Sequence, residues 1–220
     1  MATIRDAVTR ALLLLKATAP GDDPTADELA EGLRGAQALI LEIHEARGPL
    51  LTRDITGNTT PGENQRLRVQ AGSTVSVTLP NSVAISDAYD PDDYGFDPGI
   101  PCDGAANPPV GSTGAADGIA WRQPTDGARI EIVGTQQGLY FYRADTNAWM
   151  PALGLALDTE QPLNQRLQPA FEALLAERLA DVFANADQLT PAQRSRLSKA
   201  HELLFSRPGA GRRPVRAQYL

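Results

Sequence analysis

The chain is short of the residues that metal centres, disulfide frameworks and nucleic-acid surfaces require. One cysteine, Cys102, in 220 residues excludes an internal disulfide and any multi-cysteine zinc cluster, and it fits a reducing compartment. Two histidines are too few for a histidine-based zinc centre unless carboxylates complete it. Twenty basic residues face twenty-seven acidic ones, and a net charge of −7 has the wrong sign for non-specific binding to phosphate backbones. No apolar run approaches the roughly eighteen residues of a membrane span. The stretch 11–15 is apolar for five residues only, follows Asp6 and ends at Lys16, so it does not make a signal peptide despite the Ala17-Thr18-Ala19 behind it. These scarcities predict a protein made in the cytosol that stays soluble, with no membrane partner, no cofactor and no metal.

What is present is an ordinary globular composition, 42% hydrophobic and 21% charged. A chain of this length buries roughly 70% of the surface its unfolded form exposes, so it needs no staple. Ile4, Val8, Leu12 and Leu15 recur at a helical period and predict a helix over 3–18, capped by Thr3 with Asp6 three residues on. Pro20-Gly21-Asp22-Asp23-Pro24 breaks it, and Thr25-x-x-Glu28 opens a second, longer helix with Leu29, Leu33, Ala36, Ile40 and Ile43 on one face. Gly48-Pro49 stops that helix. Gly32 and Gly35 inside it cost about 1 kcal/mol each against alanine, which makes sense only if another helix lies close against that turn.

The middle of the chain changes character. No basic residue lies between Arg68 and Arg122, while glycine and proline become frequent. Residues 66–70 and 74–79 alternate as short strands, and 128–143 reads as a hairpin with a turn at 134–138. Eight of the twelve aromatics lie between Tyr89 and Trp149, which predicts a separate aromatic β core. Helices return with Phe171, Leu174, Leu175, Leu179 and Val182 on one face, and then with Thr190-Pro191-Ala192-Gln193 opening a helix through Leu197, Leu204 and Phe205. The last fourteen residues carry Arg207, Arg212, Arg213 and Arg216 and no acid, so 1–206 hold sixteen basic against twenty-seven acidic side chains. Rich in proline and glycine, this tail has nothing to bury and should be disordered in the free chain. The prediction is an α+β fold: an antiparallel helical bundle from 1–58 and 158–206, a small antiparallel β region inserted at 59–157, and a C-terminal arm at 207–220.

Candidate chemistry is thin. His44-Glu45 and His201-Glu202 each begin an H-E-x-x-H zinc motif, but Gly48 and Phe205 stand where the second histidine belongs. Asp87, Asp90, Asp92, Asp93 and Asp97 surround Gly95 in an acidic loop that invites calcium, yet Tyr94 and Pro101 occupy the fifth and twelfth EF-hand positions. No phosphate loop, dinucleotide fingerprint or nucleophile elbow is present. Cys102 between Pro101 and Asp103 lacks a basic neighbour to activate it.

The order of elements resembles the head–tail adaptor, or head-completion, proteins of tailed bacteriophages. The likeness rests on residues 4–15, 20–30 and 39–43 as an opening helix pair, on Arg47-Gly48-Pro49-Leu50-Leu51 as its exit, and on 74–80, 126–130 and 138–149 as a β insertion. Leu157-Asp158, Gln161-Pro162-Leu163 and 173–180 resemble the return into C-terminal helices. Ile43-His44 departs from the tryptophan that many relatives carry there, and 86–118 matches no part of the pattern. The resemblance implies a non-enzymatic virion protein of the neck between head and tail, made in the host cytoplasm. It implies a ring, usually dodecameric, beneath the portal protein, which closes the DNA-filled head and meets the tail or a further connector. Arg207, Arg212, Arg213, Arg216, Tyr219 and Leu220 would then form the portal-docking arm. The narrow apolar stripes of the helices predict a mostly monomeric free protein by light scattering at micromolar concentration. An acidic body would line a channel through which DNA slides without specific binding. Two other classes stand beside this one: a cell-wall glycan hydrolase using two carboxylates in an apolar cleft, and a calcium- or carbohydrate-binding surface module.

Overall fold

The computed structural model describes residues 2–86, 119–134, 137–183 and 191–205. Helix α1 (Ile4–Leu14) begins where Thr3 Oγ1 accepts from Asp6 N–H and the Asp6 carboxylate accepts from Thr3 N–H at 2.8 Å. It ends at Leu14, short of the expected 18. Lys16 turns left-handed at φ 57°, and the amides of Lys16 and Ala17 donate back to the carbonyls of Leu13 and Leu12. That is a Schellman closure with lysine where glycine usually stands, so composition carried no stop signal there. Helix α2 (Ala26–Ala46) opens with the reciprocal Thr25–Glu28 box and closes before Gly48, at φ 93°. Helices α3 (Gln168–Ala180) and α4 (Pro191–Phe205) complete the helical layer.

The two glycines of α2 mark its crossings. A methyl group on Gly32 would collide with Val8 of α1, and one on Gly35 would lie 3.2 Å from Leu175 and Leu179 of α3. Close approach of three helices is what the missing side chains permit.

The central sheet runs β1 (Leu51–Ile55), β2 (Gln65–Val69), β5 (Arg129–Val133), β6 (Gly138–Arg143), β7 (Ala148–Pro151) in spatial order. A separate antiparallel pair joins β3 (Val83–Ser86) to β4 (Ile119–Arg122). The expected hairpin is present, but the expectation of a purely antiparallel region needs correction. Within the central sheet β1, β2 and β5 run parallel, and β5–β6–β7 is antiparallel. The returning connections, 56–64 and 70–128, are long enough to bring each strand back in the same direction. Strand β1 also lies inside the segment assigned to the helical pair. Residues 74–79 do not form a strand; Val77 makes one isolated bridge to Thr59.

Packing divides at this sheet. The larger core takes Ile4, Val8 and Leu12 from α1, Leu39, Ile40 and Ile43 from α2, Phe171, Leu175 and Leu179 from α3, and Leu204 from α4. Leu139 and Phe141 of β6 belong to this same core, so the aromatic β region and the helices share it. The smaller cluster, on the opposite face, comprises Ile55, Leu67, Val69, Val75, Ile130 and Ile132, with Tyr140 and Trp149 against it. Val182, expected on the buried face of α3, is 54% exposed because the helix has already ended at Ala180.

Candidate docking groove

A groove of about 350 Å³ runs between α3 and α4, with the last turn of α1 beside it. Ala170, Ala173 and Ala176 on α3 recur every three residues, and Leu197, Ala200 and Leu203 on α4 recur every three. One face of each helix therefore looks into the same channel. Small side chains on α3 leave the channel open, while Leu14 (41% exposed) and Leu203 (57% exposed) form apolar lips. Arg196 and Lys199 border it from α4, and Arg10 borders the adjoining recess formed with Leu13 and Leu14.

Glu172 is the one acid in this apolar lining. It is only 7% exposed, and Oε1 accepts from Gln168 Nε2 at 2.9 Å and faces Arg10 Nη1 at 3.5 Å. Burial pushes its carboxyl above the ordinary range, against the opposing pull of the Gln168 hydrogen bond and the Arg10 charge. Asp6, whose charge also raises Glu172, is itself held below its usual range by the Thr3 amide that it caps. The walls around Glu172 are mainly methyl and methylene groups, suited to apolar side chains more than to hydroxyl-rich sugar.

A second polar cluster ties α2 to the sheet. The Arg129 guanidinium donates to the carbonyls of His44, Arg47 and Gly48, and so satisfies the open C-terminus of α2 with a cation. Burial lowers the Arg129 pKa to about 10, helped by the nearby charge of Arg47. Arg47 in turn donates to the Gly127 carbonyl at 2.9 Å, and Gly127, at φ 78°, leaves no room for a side chain beside that guanidinium. His44 sits between cation and anion, with Nδ1 3.4 Å from Arg129 Nη1 and Nε2 3.3 Å from Glu131 Oε2. Nδ1 must accept from Arg129, which leaves the proton on Nε2 to face Glu131. Desolvation first, and the Arg129 charge second, push the imidazole below its usual pKa and keep it neutral. His44 is therefore a joint in the fold. His201 stacks on Phe205 within α4, its ring centroid 4.3 Å away.

Among the described residues, no group of three or more His, Cys, Asp or Glu is placed to hold a metal ion, and no helix is long and apolar enough to cross a membrane. The acidic loop with Asp87, Asp90, Asp92, Asp93 and Asp97, together with Cys102, lies outside the described residues, as does Thr190. So do all the arm residues, Arg207, Arg212, Arg213, Arg216, Tyr219 and Leu220. Sequence reasoning missed the groove. Its signal was available in the alanine spacing 170-173-176, which a search for large apolar residues passes over. No known family model matches the chain, and no curated protein matches it.

Proposed function

We propose that this chain is a structural adaptor of a phage-like particle, a subunit of the ring that closes the filled head beneath the portal and receives the tail. The groove carries the reading. An apolar channel with alanine walls, leucine lips and basic margins is built to receive another polypeptide, and docking is the main task of an adaptor. The order of helix pair, β region and returning helices supports the same reading, in which the helices act as a bundle and the body is not catalytic. The arm at 207–220 would reach the portal, its four arginines pairing with acidic groups and Tyr219 and Leu220 entering an apolar site.

Truncation tests this. Removing 207–220 should leave the melting temperature nearly unchanged, since a segment so rich in proline, glycine and arginine has little to bury. Pull-down on purified portal should fall sharply and lose its salt sensitivity. Undiminished portal binding by the truncated chain at low salt would refute the docking arm, and absence of portal binding by the full chain would refute the adaptor. A second reading, glycan hydrolysis, draws on the raised carboxyl of Glu172. Cell-wall hydrolysis that disappears in Glu172→Gln would establish it instead.

A further inference from the structure

We infer that the groove between α3 and α4 seats the outer face of α2 from a second copy of this chain. This rests on reading the groove as a docking surface and adds the identity of its occupant. The charge of the two faces points the way. The chain as a whole is acidic, yet Arg10, Arg196 and Lys199 gather at the groove margins. The exposed side of α2 presents the opposite sign. Asp27, Glu42 and Glu45 are exposed there and Glu31 half-buried, on the side of the helix that carries Leu41, itself 41% exposed. Arg34 on the same side pairs with Glu31, and Glu42 pairs with Arg178, so Asp27 and Glu45 carry most of the outward negative charge. Positions 27, 31, 34, 38, 41 and 45 fall on one helical face at intervals of three and four residues, and the face stays net acidic with Arg34 counted. Ala38 and Leu41 would face the alanine walls and leucine lips, while the acids reach the basic margins.

The geometry of a helix suits the channel. α2 has 21 residues and is about 30 Å long by the standard rise. The alanines of α3 let a foreign backbone approach as the glycines of α2 let α1 and α3 approach within the chain. Because the two faces are different patches, each copy that uses its groove still offers its α2, and the contact runs head to tail. Such a contact closes a ring when its rotation divides the circle. Rim charges steer and orient more than they hold, so the contact should be weak in free solution and salt-sensitive.

Charge reversal decides it. Glu45 and Lys199 are both exposed, so reversing either leaves the core intact. Sedimentation velocity at low salt, from about 10 µM to about 1 mM, should show the intact full-length chain associating beyond a dimer. Glu45→Lys and Lys199→Glu should each weaken that association about tenfold, and the two together should recover most of it. A chain that stays monomeric throughout, or reversals that weaken association without recovery in the double variant, would overturn the proposal. Association that appears only after 207–220 are removed would also overturn it, by assigning the groove to the chain's own arm. The adaptor reading fails separately: a chain that self-associates through these faces but ignores portal keeps this inference and loses that one. A portal-bound ring indifferent to both reversals does the reverse.

Discussion

On one face of β6, Leu139 and Phe141 enter a core drawn from all four helices, whereas on the other Tyr140, with Trp149 of the neighbouring β7, borders six aliphatic residues from strands and a loop. The first face is sealed by long helices, two of which open on reciprocal capping boxes. The second is closed by the segment 71–80, held down where Trp149 Nε1 donates to the Pro80 carbonyl at 2.6 Å. Neighbouring residues of one strand thus serve two environments of different rigidity. The helical side resists deformation because its walls cannot collapse, and the outer side can follow a void because a loop forms its lid.

The sharpest test of that difference is Phe141→Ala, fully buried among helices. It should cost about 3–5 kcal/mol and unfold helices and sheet together in a single denaturant transition. Two separate transitions would mean that the faces do not share a fate. Ile130→Ala, also fully buried but on the outer face, should cost about 2 kcal/mol, the low end for such truncations, because the loop can settle. Hydrogen exchange should then quicken in β1 and β2 and stay slow in α1–α3. Next in size is a pair within the helical side. Gly32→Ala gains about 1 kcal/mol of helix propensity but drives a methyl group into Val8, a stiff side chain with no room to move. The clash wins, and we expect a net loss of about 1–2 kcal/mol by chemical denaturation. Gly35→Ala meets the flexible ends of Leu175 and Leu179 at 3.2 Å and should come out near neutral.

The smallest effect is a pH dependence at the joint between the two regions. Folding holds His44 neutral below its ordinary value of 6.5, so in acid the unfolded chain binds the extra proton more readily. Stability should therefore fall as pH drops below about 6.5 toward the depressed folded value, and be fully present above it. Glu172 works in the opposite sense, since its raised carboxyl is easier to protonate in the fold and costs stability as pH rises above 4.5. Melting profiles of the parent and His44→Asn separate them. The difference curve should flatten above 6.5 and open below it, and a difference independent of pH would remove the histidine from the account.

Legibility of these regions from sequence follows the same divide. Thr3, Thr25, Asp6 and Glu28 announced two helix starts because a capping box is a local device, complete within four residues. Gly32 and Gly35 announced a close helix contact because nothing else excuses glycine there. The parallel pairing of β1 with β2 was hidden, since it depends on how a nine-residue connection folds back and leaves no mark on either strand. Residues 74–79 alternated like a strand and became a lid, because alternation reports which side is buried and not whether a partner strand exists. The groove left only a faint mark, the alanine spacing 170-173-176, for a related reason. It is made by what α3 does not project, and an absence of bulk becomes a surface only when α4 is laid alongside.

The borders of the five-stranded sheet have a consequence for how copies of this chain can meet. β1 lies at one border with Thr52, Arg53 and Asp54 exposed, and β7 lies at the other and ends in Pro151, which has no amide hydrogen to donate. A strand arriving from another molecule would have to desolvate charges at the first border and would lack a donor at the second. The unpaired backbone is thus protected from the runaway stacking that turns soluble sheets into fibres. Two copies meeting at high concentration would find neither border of this five-stranded sheet an easy place to add a strand.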